Sequence, residues 1–282
     1  MKYTKQSPLR VVTVCSGYDS QCLGLERLKE IYPDFDYDLL AWAEIDPTSK
    51  QPMHKQPAIK AHNAIFPQWK DRNLGDMTKI DWTTVPDFDL LIYSTPCQSI
   101  SAAGLQHGFA EGSGTRSSII WNVRDAVSIK RPKYLILENV KGMVQKKFMP
   151  FFNLWLRELE SFGYVNHYSV LNAKDYGVPQ NRERLFLISI HDDGVETPVF
   201  RFPAPIPLER HLVDVLEDKV DERFYVSDVM MRYLRRTDHQ SRVEKKHRHK
   251  FNIRFDNDVA LTIRAKSADD VDNTHYAKME EQ

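Results

Sequence analysis

Apolar residues fall along the chain in short runs separated by amphipathic stretches. Arg10-Val11-Val12-Thr13-Val14 and Leu39-Leu40-Ala41-Trp42-Ala43 are compact enough, and rich enough in branched residues, to predict buried strands. Leu90-Leu91-Ile92-Tyr93, Tyr134-Leu135-Ile136-Leu137 and Leu185-Phe186-Leu187-Ile188 predict three more. Between them, apolar positions recur at helical spacing over Leu23–Ile31, 119–129 and 151–162. This β-α-β alternation predicts an α/β fold with a parallel or mostly parallel sheet covered on both faces. The rhythm stops near Pro198. Phe202-Pro203-Ala204-Pro205-Ile206-Pro207 reads as an extended linker, since each proline fixes φ and removes a donor. Residues 1–200 are therefore expected to form the main domain and 201–282 a smaller, irregular module.

Three polar islands stand out because each adjoins a predicted strand. Pro96-Cys97-Gln98 follows the third run, Glu138-Asn139-Val140 follows the fourth, and Gln180-Asn181-Arg182-Glu183-Arg184 precedes the fifth. The carboxyl ends of strands in open α/β sheets are where ligands and reacting groups collect. A thiol, a carboxyl and two guanidinium groups placed this way suggest one site assembled from distant segments. Each has a plain alternative: a buried structural cysteine, a solvated loop carboxylate, a surface basic pair.

Composition narrows the picture. The 282 residues are 41% hydrophobic and 28% charged, as in a soluble globular protein with a sizeable core. Formal net charge is zero, so a polyanionic partner would have to meet local clusters rather than the whole surface. Such a cluster exists: an acidic stretch near Asp214–Glu222 gives way to Arg232, Arg235, Arg236, Arg242, Lys245, Lys246, Arg248, Lys250 and Arg254. Only Cys15, Cys22 and Cys97 occur, without zinc-type spacing. That usage argues against a disulfide framework and for a reducing, cytoplasmic compartment. No apolar run approaches membrane-spanning length.

In their order and spacing, the three islands resemble the DNA cytosine-5 methyltransferases of bacteria and phages, over about Val11 to Ile190. The resemblance implies a Rossmann-like sheet binding S-adenosylmethionine, and methyl transfer to carbon 5 of a flipped-out cytosine in double-stranded DNA. It implies that Cys97 is the nucleophile and that Glu138 contacts ring nitrogen 3 and the exocyclic amine. Arg184 would reach the cytosine 2-oxygen and Arg182 would position the nucleophile loop. For the cofactor it implies Ser16 and Gly17 of the first turn, Glu44 for the ribose hydroxyls and Ile45 against adenine. Asp76 would accept from the adenine amino group, with Met77 and Pro96 alongside. Arg116-Ser117-Ser118-Ile119-Ile120-Trp121 matches the family's helix start lining that pocket only in part. The basic module would contact DNA, and the glycines at 104, 108, 112 and 114 would serve a closing loop.

The chain also departs from the family. Of the glycines in Phe-x-Gly-x-Gly-Gly, Cys15-Ser16-Gly17-Tyr18-Asp19-Ser20 keeps only Gly17. Ala260-Leu261-Thr262-Ile263-Arg264-Ala265 echoes the family's threonine-rich tract, but the segment that returns over the cofactor is not recognisable. These departures raise a second expectation, a truncated or split form needing a complementary chain, or a DNA-binding remnant. An RNA cytosine methyltransferase on the same fold is a third.

Overall fold

The structure is a computed structural model that describes residues 2–96, 109–114, 116–195, 198–218, 221 and 260–261. Cys97, Gly104, Gly108 and the basic cluster from Arg232 to Arg254 lie outside the described residues.

Six strands form the main sheet: β1 (Leu9–Val14), β2 (Tyr37–Ala43), β3 (Leu90–Tyr93), β4 (Tyr134–Val140), β5 (Tyr164–Asn172) and β7 (Glu183–His191), in the order β2-β1-β3-β4-β7-β5. β1 pairs in parallel with β2 and β3, and β3 with β4, whereas β7 runs antiparallel to β4. The expectation of a mostly parallel α/β sheet therefore holds, with one reversed strand. All five expected strands are present. β5 was not anticipated, because Tyr164-Val165-Asn166-His167-Tyr168-Ser169 offers neither an apolar run nor clean alternation.

Among the described residues, four helices accompany the sheet: α1 (Ser20–Ile31), α2 (Pro57–Ile65), α3 (Val123–Lys130) and α4 (Met149–Ser161). The helical pattern expected over 119–129 is divided, since a 3-10 turn occupies Arg116–Asn122 and α3 begins only at Val123. α4 buries Phe152, Trp155 and Leu159, at the i, i+3, i+7 spacing that puts three side chains on one stripe. It stops where Gly163 takes φ +87, a left-handed closure that glycine adopts without steric cost. No helix among the described residues is long and apolar enough to cross a membrane.

The pleat divides the core in two. Val12, Val14, Leu91, Tyr93, Leu135 and Leu137 pack with Phe152 and Trp155 on one face. Val11, Leu39, Leu90 and Ile92 pack with Cys22, Ile59, Phe66 and Trp69 on the other. Apolar runs read as two-sided burial because successive strand residues point to opposite faces.

Strand order reverses at β1, whose chain leads to β2 on one side while β3 lies on the other. Such a switch point, beyond the carboxyl ends of β1 and β3, is the usual ligand position in open α/β sheets. A second compact unit comprises residues 171–183 and 203–282, the remaining residues forming the first. Within it, β6 (Gln180–Asn181) pairs in parallel with β8 (Ala260–Leu261), so the start of the threonine-rich tract lies beside the start of the Gln-x-Arg-x-Arg island.

Candidate active site

The turn after β1 is built from backbone conformations that side chains rarely adopt. Cys15, Gly17 and Asp19 have φ of 52, 61 and 59. A Cβ on Gly17 would meet nothing within 4 Å, so its glycine is required by φ rather than by crowding. The Gly17 N–H donates to Glu44 Oε2 at 2.7 Å, joining the turn to the end of β2. Burial raises the Glu44 pKa, the Gly17 N–H opposes the shift, and the nearby Asp19 charge adds to it. The Ser16 hydroxyl is buried without a hydrogen-bond partner among the described residues.

Asn73 fixes the next segment. Its Oδ1 accepts from the backbone N–H groups of Glu44 (3.1 Å) and Gly75 (2.9 Å), and its Nδ2 donates to the Glu44 carbonyl (3.2 Å). The Leu74 N–H adds a bond to the Trp42 carbonyl at 2.7 Å. Asp76 and Met77 are thereby carried to the β1–β2 side. Asp76 Oδ1 accepts from the Thr78 N–H (3.0 Å) and hydroxyl (2.8 Å), capping a short 3-10 turn. Partial burial opposes ionisation of Asp76, but the Thr78 bonds and the Lys79 cation outweigh it and lower its pKa. Buried Met77 has its sulfur 3.2 Å from Cys15 Sγ, and Ile45 is half-buried just past β2.

The ends of β3 and β4 carry the second half. Ser94 Oγ donates to Glu138 Oε2 at 2.6 Å, and Arg184 Nε lies 3.0 Å from Glu138 Oε1. Both carboxylate oxygens are thus engaged, one by a hydroxyl and one by a guanidinium. Glu138 sits inside β4 rather than in a loop beyond it, because β4 continues to pair with β7: Glu138 lies opposite Phe186 and Val140 opposite Arg184. Buried Asn139 faces the other way and donates from Nδ2 to the Thr95 carbonyl at 3.0 Å. It therefore pins the chain two residues before Cys97. Pro96 is half-buried at the same edge. Arg182 belongs to the second unit, where its N–H donates to Asn172 Oδ1 (2.9 Å) and its carbonyl accepts from the Ala173 N–H (3.0 Å).

Gly17 is thus joined to Glu44, Met77 to Cys15, and Glu138 to Arg184. Ser94 and Asn73, which complete two of these clusters, were not anticipated. Ser94 follows the third apolar run directly and shares an edge with Pro96, a signal available from sequence. Asn73 has no comparable signal, being an amide inside an irregular stretch.

The other two thiols are poor nucleophiles. Burial, reinforced by the Glu44 and Asp76 charges, pushes the Cys15 pKa up to about 12, and burial raises that of Cys22 as well. Iodoacetamide at pH 8 should leave both unmodified in the folded protein. Labelling as fast as in the denatured chain, read by peptide mass spectrometry, would contradict their assignment as inert core thiols.

The family model of the C-5 cytosine-specific DNA methylases matches residues 9–281. The chain belongs to the C-5 cytosine-specific DNA methylase family. The chain is 46% identical over 158 residues to the type II methyltransferase M2.ScrFI of Lactococcus lactis subsp. cremoris, covering 56% of the chain and 43% of that protein. It is 30% identical over 249 residues to the orphan methyltransferase M.Rho11sI of Bacillus phage rho11s, covering 79% of the chain and 46% of that protein. The chain thus spans about half the length of these relatives. Its fold is shared with a DNMT2 variant of Spodoptera frugiperda, at a TM-score of 0.64 and 16% identity, covering 89% of the chain and 68% of that structure. It is shared also with a DNA modification methyltransferase encoded within an Escherichia coli prophage, at a TM-score of 0.51 and 24% identity, covering 76% and 56%.

Proposed function

We propose that the chain transfers a methyl group from S-adenosylmethionine to carbon 5 of a cytosine in duplex DNA through a covalent bond to Cys97. The observation that carries this reading is the Glu138 carboxylate, held from both sides by Ser94 and Arg184 at the strand edge from which the chain continues to Cys97.

The cofactor reading rests on the switch-point turn. An open space over Gly17, an unpartnered buried Ser16 hydroxyl and a Glu44 carboxylate beyond β2 fit a nucleoside with two ribose hydroxyls. Asp76, Met77, Ile45 and Pro96 would complete the contacts with adenine and the donor's chain. Bound there, S-adenosylmethionine supplies an electrophilic methyl carbon.

The protein's part is to make cytosine carbon 5 nucleophilic. The Cys97 thiolate adds to carbon 6, and the displaced electron pair moves towards nitrogen 3 and the 2-oxygen. Glu138 contacts nitrogen 3 and the exocyclic amine, and shares a proton with nitrogen 3 as the electron pair arrives there. Arg184 donates to the 2-oxygen, where negative charge grows as the thiolate adds. Carbon 5 then takes the methyl group, loses its proton to a base, and the ring expels the Cys97 thiolate. By the family resemblance, Arg182 would position the nucleophile loop or the backbone. Duplex cytosine must leave the stack to reach the thiol, at a cost of roughly a few kcal/mol. The basic residues from Arg232 to Arg254 would supply phosphate contacts, making the affinity salt-dependent.

A duplex carrying 5-fluorocytosine tests the proposal. Fluorine at carbon 5 cannot leave as a proton does, so an active chain should remain bonded to the DNA in the presence of S-adenosylmethionine. A denaturing gel and peptide mass spectrometry should place the bond at Cys97. If duplex DNA is bound, S-adenosylmethionine is present and no adduct forms, the chain does not carry out this reaction unaided. In that case, adduct formation on adding a complementary chain would support the split form.

A further inference from the structure

Asp19 stands at the second glycine of the family's turn, yet keeps the backbone of a glycine, with φ 59 and ψ 49. Aspartate and asparagine tolerate that left-handed region better than other side chains, but not without strain. As the residue preceding α1, Asp19 makes no side-chain bond to a helix N–H. Its carboxylate is instead wholly buried, at 0% exposure, an arrangement that is costly without a partner.

The partner facing it is His62 of α2, also at 0% exposure, with Nε2 3.1 Å from Asp19 Oδ2. The approach lies off the line of an aligned N–H···O bond, so the two groups meet as a close polar contact inside the core. His62 is held from behind. Its ring stacks on Trp42 at 3.7 Å and 22°, leans on Phe66 at 5.5 Å, and has Nδ1 3.3 Å from Asn63 Oδ1. Trp42 in turn donates from Nε1 to the Trp69 carbonyl at 2.9 Å. The main chain of Asp19 is bound on both sides, its N–H to the Ser16 carbonyl and its carbonyl to the Cys22 N–H, each at 2.9 Å. Where the carboxylate is held, Ser16 and Gly17 are held with it.

We propose that His62 is a positioning residue for the methyl donor. By anchoring the Asp19 carboxylate, it keeps this turn in the left-handed course that glycine would follow unaided, and so keeps the Gly17 N–H on Glu44. The consequence for the donor rests on the reading that S-adenosylmethionine binds at this turn.

His62→Phe retains a ring against Trp42 and removes the ring nitrogen that faces the carboxylate. Asp19→Gly removes the need for one. Hydrogen exchange of the cofactor-free protein should show amides in residues 15–19 opening about tenfold faster in His62→Phe, equivalent to about 1.4 kcal/mol. The same substitution should leave them unchanged in the Asp19→Gly background. S-adenosylhomocysteine, titrated by calorimetry, should bind about tenfold more weakly to His62→Phe and recover to within about threefold in the double variant. Equal acceleration of exchange in both backgrounds, or in neither, would overturn the proposal. Should His62→Phe alone not fold, recovery of folded protein in the double variant supports the anchor, and failure of both overturns it. A wild-type chain that bound no S-adenosylhomocysteine would retire the reading of the site, while the exchange comparison would still decide the anchor.

Discussion

A chain carrying Cys97→Ala should transfer methyl groups at least about ten-thousandfold more slowly than wild type while binding duplex DNA and S-adenosylmethionine as before. The size of the effect follows from the chemistry assigned to the thiol. Carbon 5 of cytosine is a weak nucleophile until carbon 6 has been saturated, and no other described side chain is suited to supply that addition. Burial and the nearby Glu44 and Asp76 charges hold the Cys15 thiol protonated by pushing its pKa up to about 12. Cys22 is sealed in the core on the buried face of α1. Single-turnover transfer of labelled methyl, with DNA affinity measured in parallel, checks the expectation. Turnover within tenfold of wild type would remove the covalent mechanism.

Glu138→Gln should lower the methyl-transfer step about a hundredfold to ten-thousandfold, the usual span for removing a positioned acid. The amide preserves the shape. Its oxygen can still accept from Arg184, and its nitrogen can donate to Ser94 Oγ while that hydroxyl turns to the Glu138 carbonyl, already 3.1 Å away. What disappears is a group able to exchange a proton with nitrogen 3. Arg184 also loses its counter-charge. Because Arg184 and Glu138 retain 18% and 26% side-chain exposure, stability should fall by only about 1 kcal/mol. Cofactor affinity should stay within about threefold, since the Glu44 side of the site is untouched. Matching losses in cofactor affinity, thermal midpoint and rate would make Glu138 a structural residue instead.

How legible each part was depends on whether its cause is local. β1, β3, β4 and β7 announce themselves because two-sided burial demands unbroken apolar runs, and those runs also located Pro96, Glu138 and Arg184 at their ends. β5 did not, since only Tyr164 at its start is buried and the rest alternates polar groups without period. α2 was equally silent: nine residues with Ile59 and His62 as their buried positions make too short a stripe to read. In the first turn the sequence shows a damaged glycine pattern, whereas the backbone retains the left-handed course at Asp19. The compensation lies 43 residues away in His62, and no local pattern could reveal it. Ser94 to Glu138 and Asn139 to Thr95 are likewise non-local, each joining residues 44 apart in the chain.

The alternation of β4 also limits how the chain can change over evolutionary time. Glu138 meets Ser94 and Arg184, while its neighbour Asn139 turns to the opposite face to hold Thr95. A single residue inserted or deleted between Tyr134 and Glu138 would exchange the two faces, burying a carboxylate where the amide belongs and offering an amide where the acid belongs. Substitutions along β4 can accumulate one at a time, but a change in its length has no viable single step. Length variation among relatives should therefore collect in the connections flanking β4, and an alignment that opens a gap inside 134–140 should be treated as misaligned.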